Sequence, residues 1–501
     1  MLFNSFRFFI FFPIVTVIYF IVPKKVRYLW LLAASYYFYM SWNAKYAVLI
    51  AFSTAVTWLS GILLGKCSEA ETAVKVKKWI VAVSFFVNLS ILAFFKYFDF
   101  MLGNVNAVLR NVGIGPLTRS FDLLLPVGIS FYTFQALGYT IDVYRKEIEP
   151  EKNILRYALF VSFFPQLVAG PIERSKNLLI QIAQIDHIPT GQLLRYDRIA
   201  SGLRIMLWGY FMKMVIADRL AIIVNTVFDA WFFYGTVELV LAAAAFSIQI
   251  YCDFAGYSTI AVGAAKVMGF SLTDNFDTPY FSGSIQEFWR RWHISLSTWF
   301  KDYLYIPLGG NRCGRLRRHW NILVTFLVSG LWHGASWHFV VWGGMHGVFQ
   351  IVAAETRPYR DLLYERTHTK CTSFSFRFGQ VAATFVLTTF AWIFFRARSL
   401  TQACGYIGRI FTKPDWHVLT DGSLCQLGLD RVEANVLLVS LWVLFAAGLV
   451  KYRKKETPDL FLDRQCAWFR WAAVAGMFAF IFLFGVYGPG FDAGQFIYFQ
   501  F

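Results

Sequence analysis

Long apolar stretches recur from one end of the chain to the other, and they decide which elements the sequence predicts. They lie near 6–23, 27–42, 46–65, 79–97, 122–143, 154–172, 199–228, 236–268, 322–350, 377–396, 435–450 and 469–487. Because a helix needs about 20 mainly apolar residues to cross a bilayer, the pattern predicts an all-α polytopic membrane protein. Some stretches are too long for one straight span and contain several Gly or Pro residues, so we expect re-entrant segments among them.

A different periodicity occurs in SIQEFWRRWHISLSTWFKDYLYIPLGG, residues 284–310. Aromatic and aliphatic side chains recur there at the spacing of one helix face: Ile285, Phe288, Trp289, Trp292, Leu296, Trp299, Phe300 and Tyr303. The charged side chains fall opposite, so the pattern predicts a helix that lies along the cytoplasmic interface and ends at Pro307. His293 falls at the edge of the apolar face, where an incidental histidine and a functional one are about equally expected.

Composition agrees with a membrane protein and excludes an ordinary soluble domain. The chain is 57% hydrophobic and only 15% charged, with a mean hydropathy of +0.50, whereas soluble domains average about 25% charged residues. The net charge of +17 does not indicate a nucleic-acid partner. Its basic runs lack the interleaved aromatic residues of a single-strand binding surface, and they fit the excess of positive charge in cytoplasmic loops.

The basic runs also predict an orientation. The runs 312–318 and 451–455, together with the basic loop 351–376, are predicted to be cytoplasmic. The stretch 322–350 must then leave and return on the same side, as a re-entrant pair or a broken helix. The spans that follow place the loop 397–434 outside the cytoplasm, and the same counting predicts that both termini are extracytoplasmic.

Three histidines interrupt the apolar sequence SGLWHGASWHFVVWGGMHG, residues 329–347: His333, His338 and His346. Ionisable groups at membrane depth are costly and usually mark a pathway or a site. If the helix enters the membrane near Asn321, His333 lies roughly 18 Å deep, close to the midplane. On these residues alone, a core histidine bonded to a backbone carbonyl is the favoured interpretation for His333, and it fits His338 and His346 better still. Their spacing fits a shared metal poorly, so no metal site is predicted.

Five segments of the chain carry a specific resemblance to a known family. They are PVGISFYTFQALGYTIDVYR (126–145), FFPQLVAGPIERS (163–175), QIYCDFAGYSTIAVGAAKVMGF (249–270), NFDTPYFSGSIQEFWRRWHISLSTWFKDYLYIPLGGNR (275–312) and LVSGLWHGASWHFVVWGGMHG (327–347). The chain resembles the membrane-bound O-acyltransferase family over nearly its whole length. Within it, the chain is similar to the branch of bacterial alginate O-acetyltransferases, to which the teichoic-acid D-alanyl transferases are related. The histidine of the family's W-H-G motif corresponds to His333, and that of the R-W-H-x-S motif to His293.

The resemblance implies a fold and a function. The fold would be one membrane domain over 1–501, a ring of tilted helices around a thinned centre with funnels from both faces. The function would be O-acylation, most simply O-acetylation, of an extracellular polysaccharide by an enzyme of the bacterial cytoplasmic (inner) membrane. The donor would be acetyl-CoA or another acyl thioester. Peptidoglycan or teichoic-acid acylation is the alternative acceptor, and a transporter or flippase is the alternative of another class.

The resemblance also implies roles for individual residues. His333 would be the base that activates the attacking hydroxyl, and His293 would orient donor or base at the cytoplasmic mouth. The arginines at 290, 291 and 312–318 could attract the phosphates of the donor. The residues predicted to bind substrate are Arg290, Arg291, Trp332, Trp337 and Asp253.

The sequence GQFIYFQF, residues 494–501, is apolar and aromatic but far too short to cross a membrane. It resembles an acyl-transfer motif found in parts of the same family. We therefore expect Tyr498 to turn back into the external funnel, receive the acyl group near His333 and pass it to an external partner of the SGNH-hydrolase type. The alternative is an aromatic plug that only seals the funnel.

Overall fold

The computed structural model describes residues 1–67, 71–118 and 125–487, and every regular element within those ranges is helical. The structure divides into two compact units. Among the described residues, the first contains those of Met1–Leu203 and Ala261–Thr273, and the second contains Arg204–Ile260 and those from Asp274 to residue 487. The single membrane domain predicted for 1–501 stays a prediction.

Numbered along the chain, the helices are α1, Phe6–Ile21; α2, Arg27–Met40; α3, Ala47–Lys66; α4, Glu71–Leu92; α5, Phe98–Asn111; α6, Ile129–Tyr144; α7, Ile154–Ser162; α8, Phe164–Leu167; α9, Ile180–Gln184; α10, Thr190–Leu193; α11, Tyr196–Tyr210; α12, Asp218–Asp229; α13, Thr236–Met268; α14, Ile285–Arg291; α15, Ile294–Phe300; α16, Arg315–His333; α17, Trp337–Arg366; α18, Phe374–Arg396; α19, Leu400–Thr412; α20, Arg431–Lys454; α21, Pro458–Asp463; and α22, Ala467–Phe484. Turns of π-helix cover Ala93–Tyr97, Ser175–Leu179, Phe211–Ala217 and Lys301–Tyr305.

Six helical segments in the described part of the chain are long and apolar enough to cross a membrane. They are Ala44–Lys66, Ala73–Asn111, Thr236–Met268, Phe374–Arg396, Arg431–Lys454 and Ala467–Phe484. The helix Phe6–Ile21 is also apolar but shorter. These segments confirm the prediction of an all-α, multi-pass membrane protein. The predicted orientation of loops and termini stays a prediction.

Helix α6 is buried along nearly its whole length in the first unit, where α3 and α4 pack against it. It begins after Gly128, whose φ of 72° is left-handed and favours glycine. A Cβ atom at Gly128 would also collide with the carbonyl oxygen of Leu167. The backbone conformation and the close contact with Leu167 therefore both require glycine in the PVG sequence that precedes this helix.

The second unit contains a helical hairpin formed by α16 and α17, which residues 334–336 separate. The two backbones approach closely at Gly330 and Gly343. A Cβ atom on Gly330 would collide with the carbonyl oxygen of Phe339, and one on Gly343 with that of Phe326. Small residues permit such contact between membrane helices. The hairpin confirms the prediction that the stretch 322–350 is broken.

The loop predicted at 351–376 is wrong over 351–366, because α17 continues as helix to Arg366. Contacts outside the helix's own backbone support the extension. Glu355 accepts a hydrogen bond from His319 Nε2 at 2.8 Å and also pairs with Arg318 of α16. The predicted external loop 397–434 likewise contains the helix α19.

The single interfacial helix predicted for 284–310 is also wrong, because the structure has two short helices, α14 and α15, with a break at His293. The segment from Asn275 supplies the reason. The N–H of Ile294 donates to the carbonyl of Asn275 at 3.0 Å rather than to a carbonyl one turn back in the helix. The N–H of Ser295 donates to Asn275 Oδ1 at 3.2 Å. Asn275, which lies outside both helices, thus replaces the helical bonds that the periodicity predicted.

The close approach of α16 and α17 predicts a test of the hairpin. Gly343→Ala should destabilise the protein by about 1–3 kcal/mol, because the added methyl group forces the two backbones apart. The measurement is the temperature at which the detergent-solubilised protein loses its monodisperse peak in size-exclusion chromatography.

The matched control is Gly379→Ala in α18, where a Cβ atom would meet nothing within 4 Å. That variant should keep the wild-type temperature or exceed it slightly, since alanine has the higher helix propensity. Equal temperatures for the two variants would contradict the hairpin packing.

Candidate active site

The structure brings His293 and His333 together. Their ring centroids are 6.5 Å apart, although 40 residues separate them in sequence. His293 is fully buried and His333 is 5% exposed. The periodicity of the sequence predicts His293 at the edge of an apolar helix face, whereas the structure buries it completely. The predicted position of His293 at the cytoplasmic mouth stays a prediction. The two histidines of the most specific motifs therefore share one enclosure.

Aromatic side chains form the wall around His333, which is the last residue of α16. The ring centroids of Trp332 and Trp342 each lie 5.0 Å from the His333 ring, and that of Phe395 lies at 5.4 Å. The three rings come from α16, α17 and α18, so the hairpin and its neighbour build the site together. Such a wall excludes water and strengthens electrostatic interactions inside it.

His293 occupies the break between α14 and α15 with φ 43° and ψ 56°. This left-handed conformation is uncommon for a residue other than glycine and often accompanies function. Phe254 packs edge-on against the His293 ring at 4.6 Å. Burial lowers the pKa of His293 to about 3, so the imidazole is neutral at pH 7.

Asn275 is a site residue to which the sequence reasoning assigned no role. Its Oδ1 lies 3.1 Å from His293 Nδ1 and accepts hydrogen bonds from Ser295 N at 3.2 Å and Ser295 Oγ at 2.9 Å. The residue opens the NFDTPY motif that contributed to the resemblance, but a contact across 18 residues leaves no periodic signal in one sequence. Trp342 and Phe395 were missed for the same reason.

His338 and His346 have structural partners. His338 Nδ1 donates to the carbonyl of Phe394 at 3.1 Å, and His346 Nδ1 accepts from Trp289 Nε1 at 3.2 Å. Both side chains are buried. These bonds agree with the core role favoured for the two histidines, although the partner of His346 is an indole rather than a backbone carbonyl.

The arginines predicted to attract the donor differ in their surroundings. Arg290 is exposed. Arg291 pairs with Glu287 at 2.9 Å and with Asp277 at 3.4 Å, and its guanidinium lies 5.3 Å from the ring centroid of Tyr452. In the run 312–318, Arg315 and Arg318 pair with Glu355, although Arg315 remains largely exposed. Arg290 is therefore better placed than Arg291 to meet a charged ligand.

The two tryptophans predicted to bind substrate differ in burial. Trp332 is buried against His333, whereas Trp337, at the start of α17, is 55% exposed. Trp332 thus belongs to the enclosure. The proximity of Trp337 to a substrate stays a prediction.

Asp253, the remaining residue predicted to bind substrate, lies in a buried cluster of charges. Lys213, from the π-helical turn Phe211–Ala217, donates to Asp218 at 2.8 Å and to Asp253. All three side chains are buried. Removing one member of such a cluster would leave an uncompensated buried charge. The next residue, Phe254, is the one that packs on His293, so Asp253 adjoins the site through its helix.

Tyr498 and the sequence 494–501 lie outside the described residues, so the predicted approach of Tyr498 to His333 stays a prediction. Within the described ranges, no three His, Cys, Asp or Glu side chains are close enough to hold a metal ion together.

Comparison with known proteins gives the geometry a context. The family model for membrane-bound O-acyltransferases matches residues 147–400, which contain both histidines. The chain is 35% identical to the probable alginate O-acetylase AlgI of Pseudomonas putida over 462 residues, 90% of this chain and 87% of that protein. It is 32% identical to the peptidoglycan O-acetyltransferase of Helicobacter pylori over 503 residues, 91% and 88% of the two chains. The teichoic acid D-alanyltransferase of Bacillus subtilis is 27% identical over 242 residues, 45% of this chain and 58% of that protein.

Proposed function

Because the chain belongs to the membrane-bound O-acyltransferase family, we propose that it transfers an acetyl group from a cytoplasmic thioester to hydroxyl groups of a cell-envelope polysaccharide. Family membership makes the chain an acyltransferase, so the transporter or flippase considered from the sequence falls away. One observation carries the proposed mechanism: His293 and His333 share a buried aromatic enclosure. Acyl transfer needs a base held near a reacting hydroxyl, and the enclosure offers two imidazoles.

His333 is the proposed general base. It takes the proton of the attacking hydroxyl, whose oxygen bonds to the thioester carbonyl carbon. The carbon–sulfur bond then breaks, and the proton passes to the departing thiolate. Imidazole suits both transfers, because its unperturbed pKa of about 6.5 lies near neutrality. His293, with its ring centroid 6.5 Å away, is proposed to orient the donor or the reacting hydroxyl.

The proposed donor is acetyl-CoA, presented from the cytoplasmic side of a bacterial inner membrane. Its phosphates carry negative charge, and the exposed Arg290 and the arginines of 312–318 carry the positive charge that would attract them. The proposed orientation follows from the basic runs, with both termini extracytoplasmic.

The proposed acceptor follows from the relatives. The proteins of Pseudomonas putida and Helicobacter pylori are named for O-acetylation of alginate and of peptidoglycan, and each match covers about nine tenths of this chain. The D-alanyltransferase of Bacillus subtilis matches less than half of it. O-acetylation of a glycan is therefore favoured over D-alanylation of teichoic acid, and peptidoglycan is the second candidate acceptor.

An acyl carrier is the proposed link between cytoplasmic donor and external polymer, because acetyl-CoA cannot cross the membrane unaided. In the proposed route Tyr498 attacks the thioester with the help of His333 and holds the acetyl group as an aryl ester. An external partner of the SGNH-hydrolase type then receives the group. A free phenol has a pKa of about 10 and is a poor nucleophile without a base.

Replacement of His333 tests the proposed base. His333→Ala should lower acetyl transfer from labelled acetyl-CoA, supplied to inverted membrane vesicles, by on the order of 10²–10⁴-fold, because the base is lost. The measurement is alkali-labile label on protein and polymer.

The control is His417→Ala, since His417 is exposed between α19 and α20 and belongs to no proposed step. Both variants must give a monodisperse peak after solubilisation. Near wild-type transfer by folded His333→Ala would contradict the proposed base.

Replacement of Tyr498 tests the carrier. Tyr498→Phe keeps the aromatic shape and removes only the hydroxyl, so it should eliminate acetylation of the polymer. Mass spectrometry of the wild type isolated without its external partner should find an acetyl ester on Tyr498.

Tyr487→Phe is the matched control, because it removes a different tyrosine hydroxyl from the same end of the chain. It should acetylate the polymer normally. Undiminished acetylation by Tyr498→Phe would leave the aromatic plug as the better account.

A further inference from the structure

The side-chain oxygen of Asn275 is surrounded by polar groups of the candidate site. Its Oδ1 faces three groups: the N–H and the hydroxyl of Ser295 and the Nδ1 of His293. The side chain is buried. Asn275 also forms the backbone bond from Ile294 that interrupts the helix at His293. Asn275 therefore bonds both to the backbone beside His293 and to its ring.

The backbone N–H of Ser295 fixes which atom of the amide faces the histidine. A main-chain N–H can only donate, so the amide atom opposite it must be the oxygen. The reversed amide would place its NH₂ group against the Ser295 N–H, donor against donor. An amide oxygen can only accept, so His293 Nδ1 must carry the hydrogen. In the neutral ring the remaining nitrogen, Nε2, then holds a lone pair.

Two features that lower the stability of the folded protein occur at this contact. His293 has the left-handed backbone conformation given above, and within the described part of the chain Asn275 Nδ2 has no hydrogen-bond partner although it is buried. A buried unpaired donor costs about 1–3 kcal/mol. Strain and unsatisfied polar groups concentrate where a site needs a particular geometry. An asparagine with only a packing role would not require either cost.

We infer that Asn275 is a positioning residue that holds His293 as the Nδ1–H tautomer and so presents Nε2 as a hydrogen-bond acceptor in the enclosure. The inference rests on the proposed participation of His293 in acetyl transfer. An Nε2 acceptor can accept a hydrogen bond from a water or an amide beside the acyl donor, and so hold the donor next to the hydroxyl that His333 deprotonates. The reversed tautomer would offer a donor there instead.

Asn275→Ala tests the positioning role. It should lower kcat by about 10- to 100-fold, the range usual for loss of a residue that orients a functional histidine, with little change in the KM for acetyl-CoA. In a His293→Ala background the same substitution should cause no further loss, because there is no ring left to orient. Asn435→Ala, at an exposed asparagine of α20, controls for the substitution itself.

Asn275→Asp gives a second measurement that does not depend on folding of the alanine variant. It keeps an oxygen acceptor, so it should recover more activity than Asn275→Ala. Its negative charge favours the imidazolium and raises the pKa of His293, so activity should be lost at a higher pH than in the wild type as the medium is acidified. The shift of this acid limb should vanish when His293 is replaced by alanine.

The outcomes separate the inference from the function on which it rests. Wild-type activity of His293→Ala would overturn the proposed role of His293 and with it the inference. An impaired His293→Ala with an unimpaired Asn275→Ala would overturn the inference alone. So would losses that multiply in the double variant, or an acid-limb shift in Asn275→Asp that persists without His293. Absence of further loss in the double variant, together with the His293-dependent shift, supports the inference.

Discussion

Imidazole rings that lie away from water need polar partners from the protein, and the second unit satisfies this requirement with contacts between separate segments of the chain. His293 has Asn275, His338 has the carbonyl of Phe394, and His346 has the indole N–H of Trp289. An unmet hydrogen bond of a buried group costs about 1–3 kcal/mol, so each contact constrains how its helices dock. The enclosure around His333 depends on these constraints, because its walls come from α16, α17 and α18.

The backbone geometry also helps to place the side chains of the site. Gly330 and Gly343 let α16 and α17 approach until only glycine fits, which brings Trp342 to the His333 ring. The break between α14 and α15 turns His293 from an amphipathic helix into the interior. Each feature would weaken an isolated helix, since glycine and a left-handed residue both oppose helix formation. The chain therefore gives up helix propensity at these positions, and the tertiary structure gains the placement of the two histidines.

The fold class could be predicted from the sequence because its signal is local. Runs of about 20 apolar residues predict helices, and the break within 322–350 followed from its glycines and its flanking charge. The helix break at His293 could not be predicted, because the periodicity over 284–310 describes helical bonds and Asn275 competes for them from 18 residues away. The cluster of Lys213, Asp218 and Asp253 is likewise a matter of tertiary contact. The motif resemblance identified both histidines, but their shared enclosure arises from the tertiary fold.

Joint action of the two histidines is the central claim, and a double-mutant cycle tests it most directly. Acetyl transfer from labelled acetyl-CoA would be measured for the wild type, His293→Ala, His333→Ala and the double variant in the same membranes. Residues that act as a unit show strongly non-additive losses. We expect a smaller loss for His293→Ala than for His333→Ala, and a double variant no worse than His333→Ala alone. Losses that multiply in the double variant would show two independent contributions and contradict a shared site.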